Sequence, residues 1–99
     1  MATVYAFALL DTKAQYFGTP FFCQSKGEAI RVCMDAMQDM RSTIARYPAD
    51  FTLFLIGSYD TETANLFREQ PENLGVLVTF LPQQTQLPLE AAATAREVN

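Results

Sequence analysis

The sequence predicts an α+β domain: a small, mostly antiparallel sheet with one long amphipathic helix on one face. Three observations predict it. Two runs, Thr3 to Leu10 and Phe51 to Tyr59, are rich in Val, Ile, Leu, Phe and Tyr and are bounded by polar turn residues. Between them, Ile30, Cys33, Met34, Met37, Arg41 and Ile44 recur at three- and four-residue steps, the spacing of one helical stripe. The expected order is strand, strand, helix, strand, strand, with a fifth strand left open, and such a set closes as a sheet with the helix on one side.

The first strand has two apolar faces, Tyr5, Phe7 and Leu9 against Val4, Ala6, Ala8 and Leu10. That suits a central strand, or one covered on both sides. After the polar run D-T-K-A-Q, Tyr16 to Cys23 returns as a second extended segment interrupted by Gly18 and Pro20. Proline cannot donate to a ladder, so this segment is expected at an edge or at a bulge.

The helix is expected over about Lys26 to Ala45. Ser25 and Glu28 fit a capping box, in which the serine oxygen accepts from a first-turn N–H and the glutamate reaches back to the serine N–H. Arg31, Asp35, Gln38, Asp39 and Ser42 take the polar side, and Tyr47-Pro48 ends the helix because a residue before proline is driven out of the α region. Ile30, Cys33, Met34, Met37 and Ile44 should be buried against Val4, Phe7 or Ala8 and the Phe51–Tyr59 strand.

In that strand Phe51, Leu53, Leu55 and Gly57 alternate with Thr52, Phe54, Ile56 and Ser58. Asp60 is expected to open a turn by bonding the backbone two residues on, and Ala64 to Glu69 to complete a hairpin. Gln70-Pro71-Glu72-Asn73 should break the chain, with Leu74 to Leu81 a short final strand. One domain, residues 1–81, is expected, followed by a tail over 82–99 that has no aromatic residue and contains Leu87 and Leu89. It reads either as a frayed end or as an arm that docks on a partner.

Ninety-nine residues support one small core. A chain this short buries only about 60% of its unfolded surface, so a second copy would add to its stability. A net charge of −4 disfavours a strongly basic polyanion binder without forbidding one basic face. The two cysteines, Cys23 and Cys33, are too few for a disulfide framework, and no signal-peptide or membrane-spanning pattern is visible, so a reduced cytoplasmic setting is expected. There is no histidine, which removes the commonest general base and metal ligand. No phosphate loop or nucleophile elbow is present either. The chain is therefore expected to be non-enzymatic, without metal or cofactor.

Four pieces in order resemble a known family: a first strand ending in Asp11; P-F-F at Pro20 to Phe22; S-K-G-E-A-I-R at Ser25 to Arg31; and Y-P-A-D-F-T-L-F-L-I-G-S-Y-D at Tyr47 to Asp60. L-G-V at Leu74 to Val76 fits the closing segment. Together they resemble the small nonstructural protein of gokushovirus-type microviruses, bacteriophages with a single-stranded DNA genome. The resemblance implies a protein of the infected bacterium's cytoplasm, connected with genome replication, the switch to single-stranded synthesis, and packaging. Viral replication or capsid proteins are among its implied partners. The matched residue types also have structural explanations: Ser25 and Glu28 cap, Pro48 and Asp50 turn the chain, Gly57 marks a bulge or close backbone approach, and Asp60 makes a turn.

Two functions compete for one surface. In the first, single-stranded DNA stacks on aromatic residues of the sheet's second face, with Tyr5, Phe7 and Phe54 on or near it. Lys13, Lys26, Arg31, Arg41, Arg46 and Arg68 would then supply phosphate contacts. In the second, that face pairs with another copy, giving a dimer or larger homo-oligomer that acts on viral or host proteins without nucleic acid.

Overall fold

The computed structural model describes residues 2–82. Among these residues five strands form one antiparallel sheet: β1 (Thr3–Asp11), β2 (Tyr16–Phe17), β3 (Phe21–Cys23), β4 (Phe51–Asp60) and β5 (Leu66–Val76). Two helices, α1 (Lys26–Ala36) and α2 (Thr43–Arg46), lie between β3 and β4, and short 3-10 turns occupy Pro48–Asp50 and Leu77–Phe80. The α+β class is as the sequence predicts. The expected tail lies outside the described residues except for Pro82.

β1 is central. It pairs with β4 on one side and with both β2 and β3 on the other, while β5 pairs with the far side of β4. β2 and β3 are one edge strand broken at Gly18 to Pro20, where Gly18 N–H still donates to the Leu9 carbonyl at 2.8 Å. The turns are tied as their residue types suggest. Asp11 Oδ1 accepts from the N–H groups of Lys13 and Ala14 at 3.1 Å, and Asp60 Oδ1 from that of Glu62 at 2.8 Å.

The core lies under the helices: Phe7, Cys23, Ala29, Cys33, Met37, Phe51, Leu53 and Leu77, with Leu9, Phe21, Ile30, Ile44 and Leu55 packed around them. Phe7 therefore faces the helices, whereas Ala8 lies on the opposite face.

The helix is short, not long. α1 stops at Ala36, and the chain continues through turns in which Asp39 N–H donates to the Ala36 carbonyl and Ser42 N–H to the Asp39 carbonyl. Asp39 holds the next turn with its side chain, taking the backbone N–H and Nε of Arg41 at 3.0 Å. Ser42 then caps α2, its Oγ accepting from Ala45 N–H at 3.2 Å. Short polar side chains that bond nearby backbone compete with helix continuation, and this pair breaks a stripe that is helical in its spacing. Met34 is half-buried and Met40 is exposed as a result. At the other end Ser25 Oγ accepts from Glu28 N–H at 3.1 Å, but Glu28 reaches Gln24 N–H at 2.6 Å, one residue before the expected serine.

The C-terminal half differs from expectation too. β5 runs through Gln70 to Asn73 without a break, carrying Pro71 in the edge position where a missing donor is tolerated. Its pairing with β4 shifts register twice. Leu77–Phe80 is a 3-10 turn rather than strand, and it places Leu77 wholly in the core.

Candidate functional site

A sheet covered on one face must resolve its other face in some way. Here the face away from the helices is a groove of about 510 Å³, floored by Ala6, Ala8, Ile56 and Gly57. Its walls are the two sheet edges: Phe17, Gly18, Pro20 and Phe22 on one side, Leu66 to Glu69 and Pro71 on the other.

Local sequence explains its shape. Paired residues of an antiparallel sheet lie on the same side. Phe22 is opposite Ala6, Ala6 opposite Gly57, and Gly57 opposite Arg68. The β1–β4 register slips between Ala6 and Phe7, so Ile56 is the extra residue of a bulge and shares the groove with Gly57. A Cβ on Gly57 would run into the Phe67 carbonyl oxygen, so glycine is required there by the close approach of β5. The bulge or close approach expected at this position is both.

Two ring pairs stand on this face. Phe17 meets Phe54 edge to face at 5.3 Å between centroids, and Phe22 meets Tyr59 at 5.9 Å. Phe17, Phe22 and Leu66 remain exposed on this face, Phe22 at 51% of its surface, whereas Phe67, opposite Ser58, stands on the side of Tyr5.

The residues expected to bind nucleic acid are not brought together. Phe7 has no exposed surface and packs in the core against Phe21, so it cannot stack a base. Tyr5 is 39% exposed but lies opposite Cys23, in a hollow with Gln24 to Gly27 and Leu55 on the helix side. Phe54 is on the open face as expected. Among the described residues, Arg68 is the one cation that lines the groove. Lys26 is paired with Glu72 at 3.0 Å. Arg41 is paired with Asp39 at 3.0 Å; Arg46 donates to the Arg41 carbonyl at 3.0 Å and sits over the Tyr47 ring. Arg31 is exposed on α1, in the layer opposite the groove. Arg41's guanidinium and backbone N–H hold the Asp39 carboxyl below its ordinary pKa.

Phe17 and Phe22 are the groove rings that sequence reasoning missed, with Tyr59 supporting Phe22. The signal was present in the alternation: Ala6 and Ala8 mark the shallow face of β1, and Phe22 in P-F-F lies opposite one of them. Without the register, their side of the sheet could not be assigned.

Both thiols lie in the core under α1. Burial pushes the Cys33 thiol up to about 11, with Cys23 adding to the effect, and burial followed by Glu28 raises Cys23. Among the described residues no group of His, Cys, Asp or Glu could hold a metal ion, and no helix is long and apolar enough to cross a membrane.

Fold and site together define a one-sheet α+β domain with helices on one face and an aromatic groove on the other. The chain belongs to the phage ORF5 protein family, whose model matches residues 4–80. No curated protein and no solved structure matches it.

Proposed function

We propose that this phage protein is a non-enzymatic accessory factor of a gokushovirus-type microvirus. In this reading it serves replication or packaging of the single-stranded genome in the host cytoplasm by holding unpaired DNA on the open sheet face. The observation that supports it is the groove itself, in which the exposed rings of Phe17 and Phe22 flank a floor of Ala6, Ala8, Ile56 and Gly57. Rings presented on a sheet stack unpaired bases of any sequence, each worth about 1–3 kcal/mol. Family membership and the microvirus resemblance supply the genome; the missing histidine argues against hydrolytic or metal chemistry.

The net charge of −4 and a single groove cation among the described residues make affinity modest and dominated by stacking. The basic strip expected from Arg31, Arg41 and Arg46 gives way to Arg68, because those three lie with the helices. A second reading, an interaction module for an apolar protein partner, is favoured by the charge of the lining: one arginine, Arg68, beside one carboxylate, Glu69.

Fluorescence anisotropy with labelled oligothymidylate and a duplex of equal length, run beside light scattering, tests the proposal. The expected outcome is low-salt binding of the single strand in preference to the duplex. No binding at tens of micromolar protein would replace the proposal with the interaction reading.

A further inference from the structure

Across the middle of the groove runs one row of four opposed residues: Phe22, Ala6, Gly57 and Arg68. Strands lie about 4.8 Å apart, so the outer two stand roughly 14 Å apart at the backbone. Between them the row holds only Ala6, 4% exposed, and Gly57, with the bulge residue Ile56 beside Gly57 on the floor. The row is a slot with a phenyl ring as one wall and a guanidinium as the other. Its floor is kept low at Gly57, which cannot carry a side chain against the Phe67 carbonyl. Its aromatic wall is buttressed, since Phe22 rests on Tyr59 at 5.9 Å. Its cationic wall is free, because the Arg68 side chain makes no hydrogen bond or ion pair among the described residues.

We infer that this slot is a subsite for one unpaired nucleotide, its base against Phe22 and its phosphate at Arg68. The inference rests on the open face being a single-strand site, and goes beyond it by assigning the residues that hold the strand. The occupant is planar on one side and anionic on the other, as the two walls are aromatic and cationic. A second copy docking by the same face is a poorer fit. The groove is concave, and two like grooves face to face would enclose both hollows, whereas interfaces pack as densely as interiors. An apolar peptide would fill the hollow but cover Arg68 without giving it a partner, which costs free energy. Glu69 lines this groove and also the hollow on the helix side near the Lys26–Glu72 pair, so the anion-binding end is confined to Arg68.

The chain has no tryptophan, so Phe22→Trp places a single reporter in the slot. Titration of that variant with oligothymidylate should quench its emission with the midpoint that anisotropy gives. Phe22→Leu, which keeps apolar bulk but removes the ring, should weaken binding roughly five- to hundredfold while circular dichroism stays native. Arg68→Gln should weaken binding and reduce the magnitude of the salt slope by about 0.7, the contribution of one phosphate on a single strand. If the wild type binds oligothymidylate while Phe22→Trp shows no quenching and both other variants bind normally, the subsite is wrong and single-strand binding lies elsewhere. If the wild type binds no oligothymidylate, the subsite and the proposed function fall together. A concentration-dependent change in Phe22→Trp emission without DNA would put a second copy in the slot and overturn the assignment.

Discussion

Gly57 is where the two faces of the sheet are decided. It completes the β4 bulge, lets β5 approach, and keeps the groove floor low between Phe22 and Arg68. Gly57→Ala should therefore force β5 away and lower stability by about 1–3 kcal/mol, the usual cost of overpacking, read as a drop in the denaturant midpoint. This residue was legible in the sequence as a bulge or close contact, because glycine inside a strand has few other reasons to be there. Its effect on the groove was not legible, since that needs the register of three neighbours. Cys33 carries a second prediction. Its folded-state pKa, about 11, lies above the ordinary 9.0. The unfolded chain loses the proton first as pH rises, so the contribution to stability is full below 9.0 and is lost as pH passes through about 11. Denaturant midpoints measured from neutral pH to that range should fall, and Cys33→Ser should remove part of the fall.

The elements were legible to different degrees. Strands β1 and β4 declare themselves by apolar runs between turn residues, and the broken edge by Gly18 and Pro20. The helix shows the limit of periodicity. Its spacing continues to Ile44, but Asp39 and Ser42 bond their own backbone and end it early. Reading those two as internal caps rather than as a polar face would have given the two helices. What the stripe did locate was the buried side, at Cys33 and Met37. Met37 is 5% exposed at the end of α1 and touches the core. Met37→Asp should leave an unpaired charge there and unfold the domain, with loss of the cooperative thermal transition by circular dichroism.

At the scale of the molecule, the sheet's edges and faces have opposite characters. Both edges are irregular: β2 and β3 part at Gly18 to Pro20, and β5 carries Pro71 and two register shifts. Such edges resist strand-to-strand association. The layered layout also separates most of the charge from the groove, which yields a control for the proposed site. Arg41→Ala combined with Arg46→Ala should leave the affinity and salt slope for oligothymidylate unchanged, because both lie with the helices. A loss equal to that of Arg68→Gln would move the strand to the helical side.

The pairing of β1 with β4 also sets a timetable. On the ribosome β1 emerges first, yet the strand that completes its seam ends at Asp60, after both helices have been made. Until then its only neighbour is a broken edge of five residues in two pieces. Contacts so distant in sequence must overcome a large chain-closure entropy before they stabilise anything, which slows folding. The β4–β5 hairpin closes over a short turn and pairs along most of its length, so φ-values there should be higher than in β1. The N-terminal third of the chain is then expected to dock last, on a template made from residues synthesised after it, and low φ-values in β1 would check this.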